Sequence, residues 1–262
     1  MRRALTIAGS DSGGGAGIQA DLKVFTAFGV YGMSVVTAIT AQNTVRISGI
    51  HGLPAQFVRL QLEAVLEDIG SDGIKTGMLL NADIVETVAD SVRQYAVPFW
   101  VIDPVMVSKG GDRLLDERAV QILVKKCIPL CSLVTPNIPE AEVLAGIRID
   151  TENDIFRAAK KIHRLGAGAV LIKGGHRPGN ATDILFDGKE FTRFVSEMIP
   201  TKNTHGTGCT YSAAILANLI LGRPLEAAVR ISKAYVTEAI RQAFPIGKGY
   251  GPLNHFIRPE SV

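Results

Sequence analysis

A chain of 262 residues, 47% hydrophobic and 20% charged, has room for a sizeable core in one large α/β domain or two small ones. The net charge of +3 comes from scattered residues, the densest groups being Arg2-Arg3, Lys125-Lys126 and Lys160-Lys161, which excludes a nucleic-acid-binding stripe and suits small anionic ligands. Three cysteines are too few for a disulfide framework, no secretory leader precedes the first strand-like run, and every apolar run is broken before it could cross a bilayer. A cytoplasmic protein with neither a membrane nor a nucleic-acid partner is expected.

Leu5 to Ala8 reads as a short apolar strand. Residues Gly9 to Gly17 follow as a glycine-rich loop that opens a helix from Ile18 to Phe28, with Asp21 on its first turn. The loop lacks the Lys-Ser/Thr ending of a P-loop and does not complete a dinucleotide fingerprint, so its glycines point either to a weak phosphate cradle or to close packing against a ligand. Ser34 to Ala41 is a second strand ending in Gln42-Asn43-Thr44. Gln42 can donate and accept at once, which suits the edge of an amino-substituted heterocycle; a turn residue satisfying nearby backbone is the alternative.

Pro54 to Ile69 is an amphipathic helix with Phe57, Leu60, Leu62, Val65, Leu66 and Ile69 as its apolar stripe. Gly73 to Leu79 is a strand, Asn81 caps a helix to about Tyr95, and Phe99 to Val105 is another buried strand. Asp103 near its end is placed either to hold a metal ion or to cap a turn, and the glycines of the following stretch, Val107 to Asp112, suit a lid. A helix from Asp116 to about Ile128 carries Cys127, which with Cys131 reads as core packing because no His or further Cys stands beside them.

The strand Ser132 to Thr135 leads into Asn137 and Glu140. Their spacing of three brings both oxygens to one side of a helix's first turn, for a cation or for a simple cap. A helix from Thr151 to Leu165, a strand from Ala169 to Ile172 and Lys173-Gly174-Gly175-His176 come next. Asp187-Gly188 between alternating apolar runs signals a hairpin, hence an antiparallel edge on a mostly parallel sheet. No linker or repeat interrupts the chain, so a single domain over 1–262 is expected.

The stretch His205-Gly206-Thr207-Gly208-Cys209-Thr210 stands before a long apolar helix closed by Gly222, and a last helix runs from Leu225 to about Phe244. A helix start leaves N–H groups unpaired and carries the positive end of the dipole, so two glycines there make a site for an anion, or merely a tight turn into the core.

In order along the chain stand Gly-Ser-Asp with Gly-Ala-Gly-Ile-Gln-Ala-Asp, Thr-Ala-Ile-Thr-Ala-Gln-Asn-Thr, Asp-Pro-Val-Met, Thr-Pro-Asn-Ile-Pro-Glu-Ala-Glu, Leu-Ile-Lys-Gly-Gly-His and His-Gly-Thr-Gly-Cys-Thr. From Ile7 to about Phe244 the chain resembles the hydroxymethylpyrimidine/phosphomethylpyrimidine kinases of thiamin biosynthesis, a branch of the ribokinase-like superfamily. The resemblance implies a three-layer αβα ribokinase-like fold and ATP-dependent phosphorylation of 4-amino-5-hydroxymethyl-2-methylpyrimidine, then of its monophosphate.

It also implies roles for individual residues. Gly206, Thr207, Gly208 and Cys209 would form a catalytic anion hole. Gln42, Asp21, Met78 and Val105 would bind the pyrimidine, Asn137 and Lys173 would steady ATP, and Asp103 and Glu140 would arrange Mg²⁺, with a monovalent cation as a further possibility. A homodimer is implied as well. Cys209 stands where the superfamily's sugar kinases carry an Asp base. A helix start lowers a thiol's pKa, so Cys209 is expected to take the substrate's hydroxyl proton, the alternative being that it only shapes the hole. Pyridoxal kinase activity and a non-catalytic pyrimidine-binding regulator are the competing readings.

Overall fold

The computed structural model describes residues 1–106, 115–175 and 180–259. The expected lid at Val107 to Asp112, and His176, lie outside the described residues. The elements are β1 (Arg3–Asp11), α1 (Gly17–Ala27), β2 (Tyr31–Gln42), β3 (Ile47–Gly52), α2 (Ala55–Asp68), β4 (Gly73–Thr76), α3 (Ala82–Tyr95), β5 (Trp100–Ile102), α4 (Glu117–Ile122), β6 (Leu133–Val134), α5 (Ile138–Ala145), α6 (Glu152–Arg164), β7 (Val170–Ile172), β8 (Ala181–Phe186), β9 (Phe191–Ser196), α7 (Thr207–Ile220) and α8 (Leu225–Arg241).

Among the described residues the strands form one nine-stranded sheet in the order β3-β2-β1-β4-β5-β6-β7-β8-β9. Strands β2, β1, β4, β5, β6 and β7 are parallel, and β8 and β9 form the expected antiparallel hairpin beyond β7. The opposite edge is antiparallel too, because β3 folds back on β2. Helices cover both faces, giving the three-layer αβα ribokinase-like arrangement. Alternate strand residues serve the two layers, as the period-two pleat requires. Leu5, Ile7, Trp100, Ile102, Val134 and Ile172 pack with α2, α3, α5 and α6, whereas Ala4, Val101, Leu133 and Leu171 pack with α1, α7 and α8. Each Leu or Ile so buried contributes roughly 1.5–3 kcal/mol.

The strand read as Gly73 to Leu79 ends at Thr76, and that read as Phe99 to Val105 covers only Trp100–Ile102. Three further local readings need correction. β1 continues past Ala8 to Asp11, so Gly9 to Asp11 belong to the strand and not to the loop. A register shift opens between Ala8 and Ser10, and the intervening Gly9 leaves the space Met78 fills, since a Cβ there would lie 2.4 Å from Met78 Cε. The buried stripe of α2 is Val58, Leu62 and Leu66; Phe57 and Leu60 face outwards, half exposed. The helix expected to reach Ile128 is regular only to Ile122, then passes through a π turn over Leu123–Cys127 and a 3₁₀ turn over Ile128–Leu130, where Pro129 cannot donate a helical hydrogen bond. Cys127 and Cys131 are buried in the core.

Candidate active site

Six parallel strands bring their carboxyl ends to one edge of the sheet, where open α/β sheets bind ligands. The glycine-rich loop after β1 is folded around a carboxylate of the protein itself. Asp11 accepts hydrogen bonds from the backbone N–H groups of Gly13 (2.8 Å), Gly15 (3.1 Å) and Ala16 (2.9 Å), and its Oδ2 lies 2.8 Å from His205 Nε2. Burial pushes this carboxyl up, but His205 and the loop N–H groups overturn that and hold it below the usual carboxylate range. The N–H groups of a phosphate cradle are therefore already spent here, which favours the packing alternative for this loop.

Across from that loop stands the start of α7. Gly206 takes a left-handed conformation (φ 84°), and a Cβ there would fall 1.8 Å from the carbonyl oxygen of Gly15, so only glycine fits. No side chain caps this start. The Thr207 N–H turns back to the Thr204 carbonyl at 3.4 Å, and the positive end of this 14-residue helix lies beside the strand-end groups. Immediately beside Gly208 lie Lys173 and Asp103: a Cβ on Gly208 would meet Lys173 Nζ at 3.3 Å and an Asp103 oxygen at 3.4 Å.

Lys173 Nζ donates to Asp103 Oδ1 at 2.7 Å, the lysine from the end of β7 and the aspartate from the end of β5. Burial pulls the Lys173 ammonium down, yet Asp103 and Glu140 outweigh it and leave the pKa above the usual lysine value. Glu140 and Asn137 close the first turn of α5 as a reciprocal capping box, Glu140 Oε2 accepting from the Asn137 N–H (2.8 Å) and Asn137 Oδ1 from the Glu140 N–H (2.9 Å). The capping alternative is thus realised, and in the same place Glu140 comes under the influence of Lys173 and Asp103. Its carboxyl is pushed up to about 7, by burial first and by Asp103 against the opposing pull of Lys173. The folded state then holds a proton that the unfolded chain releases above its ordinary value of 4.5, so Glu140's contribution to stability declines as pH rises from about 4.5 to 7.

Cys209 also departs from expectation. The helix start does not lower its thiol; burial raises it to about 11, with Lys75 opposing and Asp21 and Asp103 adding to the rise. At neutral pH it is a thiol. Asp21 differs as well. Both of its oxygens lie within 3.0 Å of Lys75 Nζ, and Oδ2 also accepts from Thr6 Oγ1 at 2.6 Å. Neither charged side chain has exposed surface, so Asp21 presents no free oxygen at an open pocket wall. Burial acts against the Lys75 ammonium, but Asp21 beside it holds its pKa well above the usual lysine value.

Gln42, Met78 and Val105 stand half-buried at the ends of β2, β4 and β5. The described structure thus gathers Gln42, Met78, Asp103, Val105, Asn137, Glu140, Lys173 and residues 206–209 at this edge, with Asp21 beneath. Sequence reasoning missed Lys75, although a lysine inside the buried strand Gly73–Thr76 was a signal that a carboxylate must meet it. It missed Asp183 of β8 too, a buried carboxylate that accepts from the Gly174 N–H (3.0 Å) and from Lys233 Nζ of α8 (2.7 Å), tying down the turn after Lys173.

A sheet of this order, with a glycine-led helix start facing charged strand ends, is that of a ribokinase-like small-molecule kinase. A sequence profile of the family described as phosphomethylpyrimidine kinase matches residues 11–254. The hydroxymethylpyrimidine/phosphomethylpyrimidine kinase of Bacillus subtilis is 47% identical over 256 residues, covering 97% of this chain and 94% of the relative. A thiamine biosynthesis bifunctional protein of Geobacter sulfurreducens is 55% identical over 98% of this chain, which spans 53% of that longer relative. The chain belongs to the phosphomethylpyrimidine kinase family. Among solved structures, the phosphomethylpyrimidine kinase of Clostridium difficile superposes with a TM-score of 0.82 at 45% identity, over 92% of this chain and all of that one. An ADP complex of Bacillus subtilis pyridoxal kinase superposes with a TM-score of 0.91 at 42% identity, covering 97% of each chain.

Proposed function

We propose that this enzyme transfers the γ-phosphoryl group of ATP to the hydroxymethyl oxygen of 4-amino-5-hydroxymethyl-2-methylpyrimidine, and then a second phosphoryl group to the resulting monophosphate. The observation that carries the reading is the juxtaposition of Lys173 and Asp103 with the start of α7. A moving phosphoryl group asks mainly for positioning and for charge stabilisation, and this arrangement supplies a largely buried ammonium and the start of α7 side by side. The substrate oxygen attacks the γ-phosphorus in line, the bond to the ADP oxygen breaks, and the N–H groups receive the charge spread over the equatorial oxygens. Lys173 and the carboxamide of Asn137 steady the phosphate chain, while Gln42, Met78 and Val105 hold the ring.

Asp103 and Glu140 are carboxylates near enough for one to raise the other's pKa, a hard-oxygen donor set of the kind that suits Mg²⁺. Asp103 and Glu140 would hold it, directly or through water. It would neutralise charge on the phosphate oxygens, and a monovalent cation would add to that. Among the described residues no group of three or more His, Cys, Asp or Glu forms a metal cage.

With its thiol near 11, Cys209 serves as a wall of the hole and the hydroxyl proton leaves to phosphate oxygen. Cys209→Ala is therefore expected to lower kcat by less than about tenfold, against roughly 100- to 10,000-fold for a lost general base. The check is kcat against pH for both proteins, where a larger fall together with loss of a rise in kcat toward high pH would restore the base role.

We further infer a cytoplasmic homodimer. The family resemblance supports it, as do the exposed Ile39 of β2, Ile50 of β3 and Val45 between them, with Phe57 and Leu60 on α2. No helix among the described residues is long and apolar enough to cross a membrane.

The likeness to a pyridoxal kinase keeps pyridoxal as a second reading, and Gln42, suited to an aminopyrimidine edge, favours the pyrimidine. Incubation of each alcohol with ATP and Mg²⁺, followed by product masses, should show pyrimidine monophosphate and then pyrophosphate. Preferred turnover of pyridoxal would overturn the assignment, and failure to consume ATP with either alcohol would point to a non-catalytic binding protein.

A further inference from the structure

Two donor–acceptor conflicts meet at the Gln42 carboxamide. On one side, His205 Nε2 lies 2.8 Å from Asp11 Oδ2 and 3.4 Å from Gln42 Nε2. Asp11 accepts only, so the shared ring nitrogen must carry its proton toward the carboxylate, and an N–H then faces the amide's NH₂. On the other side, Thr40 Oγ1 has one proton but two acceptors, the carbonyl of Ser10 at 3.0 Å and Gln42 Oε1 at 3.2 Å. A single half-turn of the Gln42 amide about its last bond removes the Thr40 conflict and the facing of N–H on NH₂. The NH₂ then donates to the Thr40 hydroxyl, which keeps its own bond to Ser10, and the carbonyl oxygen becomes the second, weaker acceptor of the His205 N–H, whose main acceptor stays Asp11.

We propose that Asp11 and His205 form a positioning pair that fixes which way round the Gln42 carboxamide is presented, oxygen toward His205 and NH₂ toward Thr40. Asp11 is well placed to impose this, since the loop N–H groups hold its carboxylate in one place. His205 is held as rigidly: its backbone N–H donates to the Gly251 carbonyl at 3.0 Å, and its ring packs so closely on Gly15 that a Cβ there would lie 2.6 Å from Cδ2. So oriented, Gln42 keeps one free N–H and one free lone pair in a set order. A heteroaromatic ring presenting a ring nitrogen beside an amino group fits that order in one register only, and the ring's register decides where its hydroxymethyl group points. This specificity role rests on the pyrimidine reading; the orientation of the amide does not.

A long-range ¹H–¹⁵N spectrum of the labelled wild-type enzyme, with the His205 ring assigned by its loss in His205→Phe, should show a proton on Nε2 at neutral pH. A bare Nε2 overturns the proposal whatever the substrate. In steady-state assays His205→Phe should raise the KM for the pyrimidine alcohol about three- to tenfold, the worth of about one neutral hydrogen bond, with the KM for ATP unchanged. In a Gln42→Ala background the same substitution should have no further effect. An equal rise in both KM values, or an undiminished effect without Gln42, would make His205 a structural residue only. If the wild-type enzyme does not turn over the pyrimidine at all, the functional reading fails, while a bare Nε2 in the spectrum would still overturn the proposed pair by itself.

Discussion

Gly206→Ala is expected to cut kcat by about 100- to 1,000-fold, the cost of displacing a donor from an anion hole. The left-handed backbone at Gly206 costs an alanine about 1–2 kcal/mol, and the added methyl cannot stay where it would be built, 1.8 Å from the Gly15 carbonyl. Relief requires the first turn of α7 to move away from the glycine loop, and with it the N–H groups of Thr207, Gly208 and Cys209. Single-turnover phosphoryl transfer and the melting temperature should be measured together. A folded variant with near-parental kcat would show that this helix start does not face the transferred group.

The second large effect lies under the site. Lys75→Met leaves the Asp21 carboxylate buried without its cation, and breaking one side of such a pair costs about 3–5 kcal/mol. For a chain of this size that is a fall of about 10 °C in melting temperature. The double variant Asp21→Leu/Lys75→Met removes both charges and should recover most of the loss. Thermal and urea denaturation of the parent, the single and the double variants check this. If the double variant is as unstable as the single, the lysine's packing, and not the unpaired charge, is what the structure needs.

Features that repeat locally were legible in the sequence, and those that depend on distant partners were not. Asn81, Asn137 and Thr151 each sit at a helix start as their side chains dictate, with a reciprocal cap in the latter two. Asp187-Gly188 turns the β8–β9 hairpin, Gly188 at φ 95°. By contrast, Ile47 to Gly52 carries two glycines and no clean alternation, so β3 is formed by the edge that β2 offers and not by its own propensity. Asp11 and His205 are 194 residues apart, and Asp21 and Lys75 are 54 apart. Nothing in either neighbourhood announces the other. The Cys209 thiol was misjudged for a related reason: the dipole of its helix is a local property, whereas its burial among Lys75, Asp21 and Asp103 is assembled from four elements.

The segment after α8 has a consequence for when the enzyme becomes competent during synthesis. The Gly249 N–H donates to Thr44 Oγ1 at 3.1 Å, the Tyr250 N–H to the Thr44 carbonyl at 2.8 Å, and His255 Nε2 lies 2.9 Å from Thr210 Oγ1 on the first turn of α7. With the Gly251 contact to His205, these residues join the end of the Gln42 strand to the anion hole. Domains form from the N-terminus as the chain emerges, so sheet and helices can assemble on the ribosome while this segment is still being made. The site should therefore be completed last, and because Leu253 and Ile257 of this segment are also buried in the core beside α7 and α8, a messenger truncated just after α8 should yield a product both inert and less stable, as its melting temperature would show.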